Sequence, residues 1–224
     1  MPAEPDFIAL RRKMVDNQVR TTDVTDHPLI DKLLETPREI FVPTNLRPLA
    51  YLDQDIALSD GGASQRYLIA PSPFARLVQL AAIKPDDLVL DIGGATGYSS
   101  AILSRLASAV IMLEVDDSLA GKANANLSAL GCDNAVVVTG PLEKGYPKEG
   151  PYDVIFIGGS VEVLPPSLFA QLKDGGALVC VQGRGGAGQA MRFIKNAGTV
   201  SGRKTFNCPA KPIPGFEKAL EFQF

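Results

Sequence analysis

Two carboxylates and a cluster of glycines are the residues of this chain best placed to do chemistry. The run Asp91-Ile-Gly93-Gly94-Ala95-Thr96-Gly97 follows the apolar stretch that begins at Leu88 and leads into a helical pattern from Tyr98. Glycines in such a turn permit positive φ and let a ligand approach the backbone, while the helix start offers unpaired N–H groups. Asp91, at the strand's end, can accept from an amino group. Glu114, closing the next apolar run, can take both hydroxyls of a ribose. Ligands bind above the carboxyl ends of parallel strands, so both acids face one crevice. The set suits a ligand that joins a zwitterion to an adenosine. A dinucleotide would call for GxGxxG, which is absent, since the glycines after Gly93 are Gly94 and Gly97 and position 95 is alanine. A mere tight strand–helix connection would leave the acids at both strand ends a coincidence.

The elements that must position these residues divide the chain into two textures. Residues 85–190 alternate short apolar runs with helical patterns, the sign of a parallel sheet. The strands are predicted at 88–92, 110–115, 135–139, 154–157 and 177–181, each nearly continuous in apolar residues and so covered on both faces. Helices fit at 98–107, 119–130 and 166–172. Residues 1–84 read instead as a helical and irregular segment packed on the core. A helix is predicted over 9–19, and a second begins after Asp26 as N-cap, with Pro28 just inside it and Pro37 to stop it. Residues 41–60 are extended or irregular, 60–64 form a loop, and 74–83 are an amphipathic helix. In the last 34 residues, 219–224 alternate as a strand that can pair antiparallel at a sheet edge. The fold class is α/β: a Rossmann-like, doubly wound, mostly parallel sheet with helices on both faces, preceded by the N-terminal helical segment. The whole reads as one globular unit.

Composition narrows the partners. The 224 residues are 46% hydrophobic and 21% charged, ordinary for a folded protein, with a net charge of −3 and a pI near 5.3. That balance argues against bulk nucleic-acid binding, which needs a basic face to release counterions. Cys132, Cys180 and Cys208 are odd in number and form no CxxC pair, so neither a disulfide framework nor a metal site is expected. No apolar run approaches a membrane span, and no secretory pattern opens the sequence, so a cytoplasmic location is the default. The single histidine, His27, has no partner constellation and reads as structural or exposed. Cys180 reads as packing, and the Gly183–Gly188 stretch as either a loop over the site or a plain surface turn.

At this point the sequence resembles a known family. Val89 to Tyr98 is similar to the first motif of class I S-adenosylmethionine-dependent methyltransferases, and the chain as a whole resembles protein-L-isoaspartate O-methyltransferases. Pro37-Arg-Glu-Ile-Phe-Val-Pro43 and Ala50-Tyr51-Leu52-Asp53 resemble that family's N-terminal signature. Leu130-Gly131 through Gly140, Pro151-Tyr-Asp-Val154 and Leu172-Lys-Asp-Gly-Gly176 also match, so the resemblance covers roughly residues 14–185. It implies a seven-stranded sheet, S-adenosylmethionine as cofactor, and methyl transfer to the α-carboxylate of an L-isoaspartyl residue in damaged protein. The implied cofactor contacts are Asp91, Gly93, Gly94, Ala95, Gly97, Glu114, Val115, Gly140, Pro141 and Leu142.

Three departures mark where the resemblance thins. The family places Thr-Ile-Ser-Gln-Pro before the cofactor loop. Counted back from Val89 without gaps, its proline falls on Pro71, and Tyr67, Leu68 and Ile69 stand where the hydroxyls belong. Counted forward from Tyr51, Ser64-Gln65 falls near the serine position, which makes Ser64 the catalytic candidate in that register. The family's Gly-Asp-Gly after the third strand is Gly140-Pro141-Leu142 here, leaving adenine to the backbone or to a residue such as Glu143. Ala95 replaces the loop's middle glycine, which is tolerated if its φ stays negative. Arg38 and Glu39 are expected to form an internal ion pair that seats the N-terminal segment. Two other readings keep the cofactor: a methyltransferase acting on a different small molecule or protein group, and a cofactor-binding module without catalysis.

Overall fold

The computed structural model describes residues 5–58 and 65–218. Ser64, the 60–64 loop and the 219–224 strand therefore lie outside the described residues.

Helix α1 (Phe7–Met14) opens on Asp6, whose side chain accepts from Ala9 N, and continues through a π-helical turn at Val15–Val19. Helix α2 (His27–Glu35) has Asp26 as N-cap, accepting from Leu29 N, with Pro28 in the first turn, where its missing N–H costs nothing. His27 is exposed. A 3-10 turn at Arg38–Phe41 leads into residues 41–58, which are irregular: a second 3-10 turn, Thr44–Leu49, coils them before the short strand β1 (Ile56–Ala57) pairs with β2 (Tyr67–Leu68). Helix α3 (Pro71–Ala81) follows, its first N–H groups capped from outside: Asp55 accepts from Ala70 N and Asp53 from Ser72 N, both at 2.9 Å.

The remaining strands make one seven-stranded sheet. They are β3 (Leu88–Ile92), β4 (Ala109–Glu114), β5 (Ala135–Thr139), β6 (Tyr152–Val161), β7 (Leu172–Gln182), β8 (Gln189–Asn196) and β9 (Thr199–Asn207). Their order is β5-β4-β3-β6-β7-β8-β9; pairs through β7 are parallel and the last two antiparallel. Helices α4 (Tyr98–Leu103), α5 (Asp117–Ala129) and α6 (Pro166–Ala170) make the crossovers. Strand order reverses between β3 and β6, so the ligand crevice of such a sheet opens at the ends of these two strands.

The antiparallel edge comes from a hairpin that the sequence reading does not contain. Ala197 and Gly198 both take positive φ, the two-residue turn whose twist suits a hairpin. Opposite residue pairs run from Asn196 with Thr199 outward, and Phe193 lies over Gly202, where any Cβ would strike its ring. The Gly183–Gly188 stretch is the turn into this hairpin, with Arg184 exposed beside Glu162.

Alternation along the strands builds two cores. One face carries Val89, Met112, Phe156 and Val179 against Phe74, Ile102, Leu119 and the N-terminal residues Met14, Leu29 and Phe41. The other carries Leu90, Leu113, Ile157 and Cys180 under a thinner cover that includes Leu142, Leu168, Ile213 and Phe216. Cys180 is thus a packing residue.

Candidate active site

Residues of the glycine loop are shaped by what lies against them. Gly93 has φ +77 and donates to Leu113 O, while a Cβ on Gly94 would come within 2.7 Å of the Met112 side chain. Gly97, at φ +95, begins α4 with Ala123 packed against it. Ala95 does not keep negative φ: it sits at +52, in the left-handed region that costs an L-residue roughly 1–2 kcal/mol. Its N–H explains the conformation, since it is turned to donate to Glu114 Oε2 at 2.9 Å. Thr96 donates to Phe41 O, tying the loop to the N-terminal segment.

Asp91 is fully buried at the end of β3. Its Oδ2 accepts from both Ser99 and Ser100 hydroxyls at 2.6 Å, and its Oδ1 has no partner among the described residues. Burial raises its pKa to about 6, opposed by the two serines and by Arg66, and assisted by Glu114. Glu114 is equally buried. Its Oε1 accepts from Val115 N and Asp116 N, and its Oε2 faces Arg66 Nη2 at 3.4 Å as well as Ala95 N. Val115 itself is exposed. Gly140 N donates to Glu114 O, Pro141 is exposed beside it, and Leu142 is buried below. Glu143 turns its carboxylate towards Gly215.

Two side chains that the sequence reading did not single out stand in the crevice. Arg66, immediately before β2, donates from Nη2 to Gly93 O at 2.7 Å and is almost fully buried. Burial lowers its pKa; Glu114, Asp91 and Asp116 oppose that. Ile213 reaches in from the tail against Gly93 and Gly159. Tyr67, Leu68 and Ile69 wall the pocket with Gly93, Gly94, Ala95, Phe156 and Gly158, leaving a cavity of about 20 Å³. The ungapped register thus puts three side chains without an aliphatic hydroxyl beside the loop. Position alone, one residue ahead of Tyr67, was the only signal for Arg66.

The signature residues act at a distance from the loop. Arg38 and Glu39 do not pair with each other, because their side chains leave the 3-10 turn towards different elements. Arg38, fully buried, donates to Ala50 O at 2.7 Å and to Ile69 O at 2.6 Å, with Tyr98 under its guanidinium. Glu39 accepts from Tyr51 Oη and faces Arg11 Nη2 at 3.5 Å.

The family model for protein-L-isoaspartate(D-aspartate) O-methyltransferase (PCMT) matches residues 10–213. This chain belongs to the protein-L-isoaspartate(D-aspartate) O-methyltransferase family. Among the family's proteins, the protein-L-isoaspartate O-methyltransferase of Koribacter versatilis (strain Ellin345) is 35% identical over 96% of this chain and 96% of its own length. That of Roseiflexus castenholzii (strain DSM 13941 / HLO8) is 32% identical over 94% of each. A solved protein-L-isoaspartate O-methyltransferase superposes with a TM-score of 0.79 at 28% identity, over 92% of this chain and 66% of that one. A second, from Plasmodium falciparum and in complex with S-adenosyl-L-homocysteine, does so with a TM-score of 0.75 at 20% identity, over 93% and 98%. That last likeness speaks for the fold. Among the described residues, no helix is long and apolar enough to cross a membrane and no group of side chains could hold a metal.

Proposed function

We propose that this family member transfers a methyl group from S-adenosylmethionine to the α-carboxylate of L-isoaspartyl residues in damaged protein. One observation carries the cofactor assignment: Asp91 Oδ1 is a fully buried carboxylate oxygen without a partner among the described residues, at the switch point of the sheet. An ammonium group is the partner that such an oxygen lacks. The surrounding donor set fits the rest of the molecule. Glu114 suits the ribose hydroxyls, the loop of Gly93, Gly94, Ala95 and Gly97 allows close approach, and Val115, Gly140, Pro141 and Leu142 flank the place for adenine.

When bound, this cofactor supplies a methyl group on a sulfonium, which is already a good leaving group. The chain's own task is positioning and water exclusion, because an acceptor carboxylate is ionised at neutral pH and needs no base. Ile69 O is fixed by Arg38, and the start of α3 by Asp53 and Asp55. These contacts set the wall formed by Tyr67, Leu68 and Ile69. We carry Ser64 as the hydroxyl that positions the acceptor. Ser64→Ala then lowers kcat/KM for peptide about tenfold, the worth of one hydrogen bond to a charged group, with cofactor affinity unchanged.

The deciding experiment offers an isoaspartyl peptide and its aspartyl twin with methyl-labelled cofactor. Label is expected in the first alone. Cofactor binding without transfer to either peptide would overturn the acceptor assignment. It would favour the second reading, a methyltransferase with another acceptor, for which the apolar Leu68 and Ile69 beside the loop already speak. A labelled-methyl screen of metabolite extracts would then find that acceptor.

A further inference from the structure

After β9 the chain turns back across the carboxyl ends of the sheet. Residues 211–216 form a strap anchored at both ends. Ser160 N donates to Lys211 O at 2.9 Å, Ile213 N donates to Ser160 O at 3.0 Å, and Pro212 pairs in parallel with Ser160. At the far end Glu162 N and Val163 N both donate to Phe216 O, and the Phe216 ring is buried in the thinner core. Gly215 takes φ +88 to make the turn between them.

Ile213, between the anchors, fills the switch point. Its Cδ1 would lie 3.2 Å from a Cβ on Gly93, a tight contact, and 2.7 Å from one on Gly159, so the side chain fits only because Gly159 carries no Cβ. Arg66 closes the same space from the opposite side through Gly93 O and Glu114. Between Arg66, Ile213 and Asp55 the space left is about 10 Å³, and beside the glycine loop, against Tyr67, Ile69 and Gly158, it is about 20 Å³, each with room for about one water. A ligand of nucleoside size needs a pocket of roughly 300 Å³ or more. Glu114 shows the same conflict in its bonding. A carboxylate has about four acceptor positions, and three backbone N–H groups and Arg66 take them all.

We infer that the 211–216 strap and Arg66 together form a gate over the cofactor crevice. Ligand enters when Ile213 withdraws, and a ribose hydroxyl replaces the Arg66 guanidinium on Glu114. This rests on the cofactor assignment above. The ligand-binding form is then a minor one, and apparent affinity is reduced by the fraction of molecules that are open.

The test uses the full chain and S-adenosyl-L-homocysteine, read by calorimetry and stopped-flow binding rather than by turnover. Ile213→Ala is expected to tighten binding about tenfold, and Arg66→Gln, on a different element, at least threefold. In the parent the observed binding rate should level off at high ligand concentration, where opening becomes limiting, and in Ile213→Ala it should stay linear. Binding by the variants where the parent binds too weakly to measure would support the gate equally. Parent and both variants binding within twofold of one another, with linear rates throughout, would overturn it and leave the cofactor assignment standing. No binding by any of them, nor by the double variant, with circular dichroism unchanged, would overturn both.

Discussion

A carboxylate removed from water stays charged only as far as its neighbours allow, and Asp91 has two serine hydroxyls and a guanidinium one step away. Because its folded pKa of about 6 lies above the unfolded value of 3.8, the folded state holds the extra proton between those limits. The stability it contributes is fully present below about pH 4 and is lost as pH rises through 6. Relative to Asp91→Asn, the parent's unfolding free energy should therefore fall by roughly 2–3 kcal/mol from pH 4 to pH 7, measured by urea denaturation at each pH. Curves that stay parallel would mean that the charge costs the fold nothing. The same change should weaken S-adenosyl-L-homocysteine binding at least tenfold, since the amide would turn no anion towards an ammonium. Both acids were legible in the sequence because strand ends in a parallel sheet are predictable from apolar runs. The sign of φ at Ala95 was not legible: it is set by the reach of its N–H to Glu114, a contact between two strands' ends that no local pattern records.

At the scale of elements, the N-terminal signature gains a physical meaning. Arg38 spans from the carbonyl of Ala50 to that of Ile69, so one buried fork joins the coiled 38–50 stretch to the wall of the crevice. Removing it leaves two carbonyls without their donor in a dry interior. Arg38→Ala should cost roughly 3 kcal/mol in chemical denaturation, and Arg38→Lys should recover less than half, because a single ammonium cannot reproduce the planar fork. A loss under 1 kcal/mol would show that water takes over these bonds. The β8–β9 hairpin escaped notice for the opposite reason. Almost every side chain of β9 is exposed or nearly so, which gives the strand no apolar alternation, and only the Ala197-Gly198 turn marked it. The strap at 211–216 has no periodic signal, because prolines at 212 and 214 interrupt it.

For the whole molecule, the parallel sheet was the most legible level, since five apolar runs with helical patterns between them admit few arrangements, although β5, at the sheet edge, is partly exposed rather than covered on both faces. The joining of the two textures was less visible. Among the described residues, Met14, Leu29 and Phe41 share one continuous core with Val89, Phe156 and Val179. We expect one calorimetric transition whose van't Hoff and calorimetric enthalpies agree. Two resolved transitions would show that the N-terminal segment melts alone.

The crevice already filled by Ile213 also sets the heat signature of binding. Ligands that enter a wet, open cleft remove apolar surface from water and lower the heat capacity of the system. Here the ligand exchanges places with a side chain, and Ile213 returns to water part of the apolar area that the adenosine takes out of it. The heat-capacity change of S-adenosyl-L-homocysteine binding, measured from calorimetric enthalpies across 10–35 °C, should be only weakly negative in the parent. In Ile213→Ala, which has less apolar surface to return, it should turn clearly more negative.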